Sequence, residues 1–303
     1  MRKIWLLSLT LVGLGLLLSF VPRLLAPSVP PLSAVQPSPK KTIQYRSRML
    51  GQSVVHTLRI PAQSRFSVVP ALSQEVDTLE SFAQKHQAIA VLNGGFFDPD
   101  NQKSTSYIVL QGKRVADPKL NERLMRNPDL VPYLGKILNR AEFRRYVCAQ
   151  AVRYDIVLHS EPPPRGCQLV DALGGGPHLL PQLTSVQEGF VALANGEVSR
   201  DPLGSSQPNA RSAVGIMQDG SILWVMVAQK PEAPSTSGLS FSALATFMKT
   251  LGVQKAMNLD GGSSTSLYYK GKTVYGKVNE QGNSVKRPVK SVLLVQEDLG
   301  KAP

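Results

Sequence analysis

The sequence predicts an α+β fold with a mixed, largely antiparallel sheet framework and packed helices. Asn195-Gly196 stands between an apolar run and Val198, and Asp219-Gly220 stands between two apolar runs. Such dipeptides supply the positive φ angles that two-residue hairpin turns require. Stretches with a helical pattern are few, and the two clearest ones each lead into a short apolar strand and a pair of glycines. We therefore expect strands to outnumber helices.

The order helix, strand, Asx-Gly-Gly and hairpin occurs twice. A predicted helix over Leu79–His86 and the strand after it lead into Asn93-Gly94-Gly95. A second predicted helix, over 241–251, and its strand lead into Asp260-Gly261-Gly262. An internal duplication would place Asn93 and Asp260 at equivalent strand ends. A chance match between two short units is the alternative.

The N-terminal region is typical of an exported protein. Two basic residues precede an uncharged, mostly apolar run over 4–21. This run is long enough to span a membrane, and no small-x-small cleavage site follows it. We expect a signal-anchor over 1–21 that places the folded domain on the periplasmic or cell-surface side; a cleaved secretory signal is the alternative. Residues 22–41 are proline-rich and predict an extended linker, and the folded domain is expected over 42–299.

Residues 120–146 differ from the rest of the predicted domain because basic side chains dominate them. We expect one or two amphipathic helices inserted into the sheet framework. A solvated helical face is the simpler interpretation of these charges, and a basic lid or docking surface for an anionic polymer is the functional one.

The net charge of +13 indicates an anionic environment, such as a phosphate-bearing polymer or a membrane surface. Nucleic acid is not an expected partner, because the chain has no zinc-finger spacing, RNA-binding aromatic signature or base-reading basic helix. Cys148 and Cys167 fit a disulfide in an exported domain, with two unpaired buried thiols as the alternative. Two cysteines are too few for a structural zinc site made of thiolates.

The turn Asp260-Gly261-Gly262-Ser263-Ser264-Thr265 is a candidate reaction centre. Paired glycines after a strand indicate unusual backbone angles or the close approach of a ligand. Successive backbone N–H groups in such a turn can bind an anion, and this turn adds one carboxylate and three hydroxyls. The alternative is an ordinary Asx turn whose hydroxyls satisfy the local backbone.

Three further segments carry candidate side chains. Asn93 could orient a sugar, and Asp98 in the same segment either contacts the substrate or only forms a turn. His178 follows the run Gly174-Gly175-Gly176 and could carry a proton or bind phosphate, with a structural hydrogen bond as the alternative. Arg211 offers a planar fork that suits phosphate oxygens, although a salt bridge is an equal alternative. The chain has no G-x-S-x-G, H-E-x-x-H, Walker A or dinucleotide motif.

Together these turns make the sequence similar to the phosphodiester glycosidase family. The resemblance covers roughly residues 54–295, and the matching blocks follow the family's order. They are NGGFFD at 93–98, LGGGP at 173–177, ARSAVG at 210–215, NLDGGSSTSL at 258–267 and RPV at 287–289.

The resemblance implies hydrolysis of a glycosyl-1-phosphodiester at the sugar C1–O bond. An ordinary glycosidase protonates its leaving group with a second carboxyl, whereas a phosphate leaves as a stable anion, so one carboxylate can suffice. Asp260 is the candidate for that carboxylate, and Asn93 and His178 are further catalytic candidates. The candidates for binding the substrate are Gly94, Gly95, Asp98, Gly175, Gly176, Arg211, Asn258, Gly261, Gly262, Ser263, Ser264, Thr265 and Arg287.

Two other functions remain open at this point. One is a non-catalytic binding module for an anionic wall polymer or exopolysaccharide, and the other is a phosphodiesterase that cleaves the P–O bond. The expected partners are a glycan or glycosyl-phosphate and, through the N-terminal helix, a membrane. The sequence requires no cofactor, although a divalent metal is compatible with the chemistry, and it indicates no oligomeric state.

Overall fold

The computed structural model describes residues 41–298, and the predicted signal-anchor over 1–21 and most of the linker over 22–41 lie outside them. Strands predominate, and the four α-helices are short. The helices are α1 Leu79–His86, α2 Glu122–Met125, α3 Leu134–Ile137 and α4 Phe241–Thr250. The strands are β1 Gln44–Leu50, β2 Ser53–Ile60, β3 Phe66–Asp77, β4 Ala90–Asn93, β5 Ile108–Leu110, β6 Lys113–Ala116, β7 Ala141–Cys148, β8 Ala151–Leu158, β9 Cys167–Gly174, β10 His178–Leu180, β11 Ala192–Ala194, β12 Glu197–Arg200, β13 Arg211–Met217, β14 Ile222–Ala228, β15 Val253–Asn258, β16 Ser266–Tyr269, β17 Lys272–Tyr275 and β18 Val289–Glu297.

Three antiparallel sheets form the framework. Sheet A has the order β1-β2-β14-β13-β15-β10, sheet B the order β17-β16-β4-β18-β3, and sheet C the order β6-β5-β9-β7-β8. A separate hairpin joins β11 to β12 at Asn195-Gly196, where both residues have positive φ. The hairpin β13–β14 likewise turns at Asp219-Gly220. These pairings confirm the predicted α+β class with predominantly antiparallel strands.

The three sheets pack around one central core, and two of them carry a helix on the outer face. Alternation along β14 shows the layering: Trp224 and Met226 point into the central core, whereas Val225 and Val227 pack under α4. Sheet B buries its outer face against α1 in the same way. Each of these two helices begins at a side-chain cap, with Thr78 accepting from the Ser81 N–H and Ser240 from the Ala243 N–H.

Both predicted helix–strand–turn units are present, in different sheets. In the first, α1 leads into β4 of sheet B, and in the second, α4 leads into β15 of sheet A. A hairpin follows each turn, β5–β6 in the first unit and β16–β17 in the second. The shared order of elements is therefore seen directly, while an origin by duplication stays a prediction.

The predicted helical insertion over 120–146 is α-helical only in two single turns, with a 3-10 turn at Val131–Tyr133 between them, and its last part is strand β7. Two of the basic residues there are paired with carboxylates inside the sheet. Arg144 is buried and donates to Glu142 at 2.7 Å, and Arg145 donates to Asp171 of β9 at 2.6 Å. The prediction of a helix here is wrong, because carboxylate partners allow these charged side chains to lie in a buried strand.

Cys148 and Cys167 form the predicted disulfide, which joins directly opposed residues of β7 and β9. A disulfide of this kind is typical of oxidising compartments. Among residues 41–298, no helix is long and apolar enough to cross a membrane. The predicted signal-anchor lies outside this range.

Candidate active site

Three glycine turns from the three sheets meet at one place. The Asp260 N–H donates to the Gly94 carbonyl at 3.0 Å, and the Gly176 N–H donates to the Asn258 carbonyl at 2.8 Å. A Cβ on Gly95 would clash with the carbonyl of Gly174. Glycine at position 95 is thus required by close backbone packing, and the ends of β4, β9 and β15 are locked together.

Asn93 lies at the centre of this junction and is fully buried. Its Nδ2 donates to the Asp260 carbonyl at 2.7 Å. Its Oδ1 accepts from Ser212 Oγ at 2.5 Å and from the Ser266 N–H at 3.1 Å. This geometry favours a positioning role for Asn93, which holds the Asp260 turn in place, over the predicted direct contact with a sugar.

Asp260 is the carboxylate of the junction. Burial raises its pKa from 3.8 to about 6, against the opposing effects of the Ser264 hydroxyl, the Arg287 charge and the Gly261 N–H. The Gly261 N–H donates to Oδ1 at 2.9 Å. A carboxyl with this pKa is ionised at neutral pH and can still accept a proton during a reaction.

The Asp260 turn is open on its outer side. Gly262 has φ +57°, and a Cβ at this position would meet no atom within 4 Å. Its N–H donates inwards to the Ala210 carbonyl at 2.9 Å, and Gly261 packs against the same carbonyl. A ligand can therefore reach the turn from the side on which Gly262 is partly exposed.

Three side-chain atoms next to Asp260 are buried without a hydrogen-bond partner among the described residues: Asn258 Oδ1, Ser264 Oγ and Thr265 Oγ1. The Ser264 hydroxyl lowers the pKa of Asp260 as a hydrogen-bond donor to the carboxylate, although its geometry is poorer than that of an ordinary hydrogen bond. Buried polar atoms are normally paired. Three unpaired atoms at one strand end form a group that ligand hydroxyls could satisfy.

Arg287 supplies positive charge at the junction. It donates to Ser263 Oγ at 3.0 Å, and its guanidinium lies over the Phe97 ring at 4.8 Å. It forms no ion pair with any residue of the described range 41–298. The remaining N–H groups of this planar fork are therefore available to an anion.

His178 lies on β10, after the third glycine turn, and is coupled to a carboxylate. Its Nδ1 is 3.0 Å from Glu188 Oε1, and Glu188 is 1% exposed. Burial alone would raise the pKa of Glu188, but hydrogen bonds from His178, Thr184 and the Ala141 N–H outweigh it, and the pKa is lowered. No sequence motif marks Glu188, although Thr184 and His178 precede it by only four and ten positions.

The glycines of the third turn allow close packing against both the His178–Glu188 pair and the backbone junction. Gly176 has φ +102°, and a Cβ there would clash with Glu188 Oε2. A Cβ on Gly175 would lie 2.9 Å from the Asn258 carbonyl. Both positions thus require glycine for close packing, so their direct contact with a substrate stays a prediction.

Two residues predicted to bind the substrate instead bond to other parts of the protein. Arg211 is 2% exposed and donates to four backbone carbonyls, those of Leu203, Gly204, Gln207 and Leu239. Burial lowers its pKa to about 10, so it stays charged while it holds this loop. Its fork is thus occupied by the protein's own carbonyls, and this geometry does not support the predicted phosphate contact.

Asp98 is the second such residue. Its Oδ2 accepts from Arg123 Nε at 2.9 Å, and its Oδ1 accepts from the Asp100 N–H at 2.9 Å. It therefore takes the turn-forming role that was the alternative prediction. Within residues 41–298, no group of three or more His, Cys, Asp or Glu side chains is placed to hold a metal ion, and the role of a divalent metal stays untested.

Comparison with known proteins identifies the chain's relatives. The family model described as phosphodiester glycosidase matches residues 86–296. The chain belongs to the phosphodiester glycosidase family. The match contains all three glycine turns, Asp260 and Arg287, so the family relationship covers the whole junction. No curated protein sequence is significantly similar to the chain.

Solved structures with the same fold are similar at low identity. The catalytic domain of zebrafish N-acetylglucosamine-1-phosphodiester alpha-N-acetylglucosaminidase, auto-inhibited by its pro-peptide, has a TM-score of 0.60 at 17% identity, covering 84% of this chain and 82% of that one. A hypothetical protein from Synechocystis has a TM-score of 0.54 at 17% identity, covering 84% and 61%. A putative exported protein from Burkholderia pseudomallei has 0.54 at 16%, covering 80% and 74%.

Proposed function

We propose that this family member hydrolyses a glycosyl-1-phosphodiester at the bond between sugar C1 and the phosphate oxygen. Water oxygen bonds to C1, the C1–O bond breaks, and the phosphate leaves with the bonding electrons as a phosphomonoester. Membership in the phosphodiester glycosidase family supports this reaction class. The zebrafish relative's name describes an enzyme that acts on a sugar 1-phosphodiester.

The observation that carries the proposal is the presence of one carboxylate and one guanidinium near each other, without an ion pair between them. Asp260 has a pKa of about 6 and lies close enough to Arg287 for the guanidinium charge to affect it. Ordinary glycosidases use two carboxyls, one of which protonates the leaving oxygen. A phosphate leaving group needs no proton, but its negative charge must be stabilised. Arg287 has N–H groups without a partner among the described residues, and these can donate to the phosphate.

Each group of the junction has a role in this proposal. The Asp260 carboxylate takes a proton from the attacking water or stabilises positive charge at C1. Arg287 binds the phosphate. Asn258 Oδ1 and the hydroxyls of Ser264 and Thr265, unpaired in the described part of the chain, orient the sugar. Asn93 keeps the turn in position.

We propose that the enzyme acts on a glycan of the cell envelope or outside the cell. The disulfide between Cys148 and Cys167 supports an oxidising compartment, and the net charge of +13 favours an anionic polymer or surface. Anchoring through residues 1–21 is part of this proposal.

Hydrolysis in ¹⁸O-labelled water tests the bond that is cleaved. We expect the label in the sugar product, because water attacks C1. Label in the phosphate product would show P–O cleavage and contradict the proposal. Binding of the substrate with no product, at any pH and with added divalent metal, would support a binding module in its place.

A further inference from the structure

A cavity of about 370 Å³ lies beside His178, and Asp260 is not among the residues that line it. Its volume is in the range of small-molecule sites. Gly176 lies between this cavity and the candidate active site. Its N–H and carbonyl bond to Asn258 at 2.8 Å and 3.1 Å, whereas a Cβ on Gly176 would clash with Glu188, which lines the cavity. The cavity is therefore a second site, separated from the first by one backbone segment.

A buried carboxylate determines which nitrogen of the His178 ring carries the proton. The pKa of Glu188 is lowered, because hydrogen bonds to its carboxylate outweigh the effect of burial, so Glu188 is ionised at neutral pH and can only accept. His178 Nδ1, 3.0 Å from Glu188 Oε1, therefore carries the proton, and Nε2 is an acceptor.

Nε2 of His178 is available to a ligand in the cavity. No residue of the described range 41–298 donates to it, and it is not one of the enclosed unpaired atoms. The side chain is 13% exposed and lines the cavity. Because Nδ1 lies against Glu188, the exposed part of the ring includes the acceptor nitrogen.

The cavity also contains three neutral amide side chains. Asn139 Oδ1 accepts from the Ser160 N–H at 2.7 Å, so Asn139 Nδ2 is left to donate. Gln182 and Gln187 are exposed, and their side chains form no hydrogen bond within residues 41–298. The protein thus fixes one acceptor, His178 Nε2, and one donor, Asn139 Nδ2, and leaves two amides free.

A neutral polyhydroxyl ligand matches these groups. Each hydroxyl of a sugar both donates and accepts, as the amides do. An anion matches them less well, because Lys136 is the only cation among the lining residues and donates to the Val186 carbonyl at 3.2 Å.

We infer that the cavity binds a neutral sugar residue, and that His178 Nε2 accepts a hydrogen bond from one of its hydroxyls. The inference goes beyond the proposed function, because this sugar is a different one from the sugar cleaved at C1. It holds whether or not the proposed bond is cleaved.

The chain has four histidines, so imidazole ¹⁵N NMR tests the inference directly. In the free protein at pH 8, His178 should show a protonated Nδ1 and an unprotonated Nε2. N-acetylglucosamine at tens of millimolar should shift the Nε2 resonance of His178 and leave those of His56, His86 and His159 unchanged. A protonated Nε2 in the free protein, or no response of His178 to the sugar, would overturn the inference.

Gln182→Ala combined with Gln187→Ala should weaken sugar binding by about five- to tenfold, the value of one or two neutral hydrogen bonds. His178 is kept in this variant and still reports the titration. Gln84→Ala combined with Gln218→Ala is the matched control, because these glutamines are also exposed and their side chains form no hydrogen bond within residues 41–298. Equal effects of the two double variants would contradict a site in this cavity.

Two further titrations identify the ligand class and the site. A stronger response of His178 to inorganic phosphate than to N-acetylglucosamine would overturn a neutral-sugar site. Thr265→Val alters the proposed sugar contact at Asp260 and should leave the His178 titration unchanged, whereas loss of the response would show that the sugar binds only at Asp260. If no glycosyl-1-phosphodiester is hydrolysed, the proposed function fails, and the His178 titration still tests the cavity.

Discussion

Asp260 and Glu188 are two enclosed carboxylates whose pKa values are shifted in opposite directions. Glu188 accepts from the His178 N–H, His178 Nδ1, the Thr184 hydroxyl and the Ala141 N–H, and its pKa is lowered. Asp260 accepts one backbone N–H, and its pKa is raised to about 6. The carboxylate with satisfied oxygens holds the structure together, whereas the less satisfied one is free to react.

The same contrast separates two arginines. Arg211 is enclosed by backbone carbonyls and packs over the Phe241 ring at 4.3 Å. Arg287 makes one hydrogen bond, to Ser263, among the described residues. Both are arginines within family-type sequence blocks, so residue type alone does not separate a structural role from a functional one. The two roles are separated by the number of hydrogen bonds that each guanidinium already makes within the protein.

Asp260→Asn should have the largest effect. We expect turnover to fall by about 10²- to 10⁴-fold, because the only proposed catalytic carboxylate is removed. The variant should also be more stable at pH 8, by up to about 3 kcal/mol, because a raised folded-state pKa penalises the charged form by 1.36 kcal/mol per unit. Enzyme kinetics and urea unfolding measure the two effects. Unchanged turnover, or a loss of stability, would contradict the role of Asp260.

Arg287→Gln and Arg211→Gln should show which arginine acts on the substrate and which stabilises the fold. We expect the Arg287 variant to lose about 10²-fold in kcat/KM with little change in stability, because it removes a donor to the phosphate. The Arg211 variant should lose about 2–4 kcal/mol of stability, because several buried carbonyls lose their donor. The free energy of unfolding and kcat/KM are compared for both. The reverse pattern would show that Arg211, not Arg287, contacts the phosphate.

Glu188→Gln should have an effect on stability opposite to that of Asp260→Asn. The amide nitrogen would face donors that now bond to a carboxylate oxygen, and we expect a loss of about 2–3 kcal/mol. Thermal and urea unfolding at pH 7 measure this. A gain in stability would mean that the Glu188 carboxylate lacks hydrogen-bond donors as the Asp260 carboxylate does.

Thr265→Val should have the smallest effect. The Thr265 hydroxyl is buried and unpaired among residues 41–298, so its loss should leave stability unchanged or raise it by about 1 kcal/mol. If the hydroxyl binds the sugar, kcat/KM should fall by about five- to tenfold, the value of one neutral hydrogen bond. Thr57→Val, on β2, is the control. Equal kinetics in both variants would exclude a role for Thr265 in binding.

Local sequence was sufficient for the elements that local chemistry determines. The hairpin at Asn195-Gly196 follows from positive φ angles, and α1 from its apolar spacing. The glycine turn at Asp260 was also recognisable, because its residues are adjacent in the chain. Each of these features depends on neighbours within a few positions.

Features that depend on distant partners could not be predicted. Asp98 is tied to Arg123, 25 positions away, and Asn93 bonds to the Asp260 carbonyl, 167 positions away. The pairing of Arg145 with Asp171 places a basic segment in a strand where a helix was expected. Only the packed sheets bring these residues together, so a side chain's availability for a substrate is known only after its protein contacts are known.

The pH dependence of kcat/KM tests most directly whether Asp260 is the single catalytic carboxylate. This parameter reports the free enzyme, in which the pKa of Asp260 is about 6. We predict that kcat/KM for a glycosyl-1-phosphodiester rises with pH, with a midpoint near 6, because the carboxylate must be ionised to accept a proton. A rate that instead rises as the pH falls below 6, or the same profile in Asp260→Asn, would contradict the account.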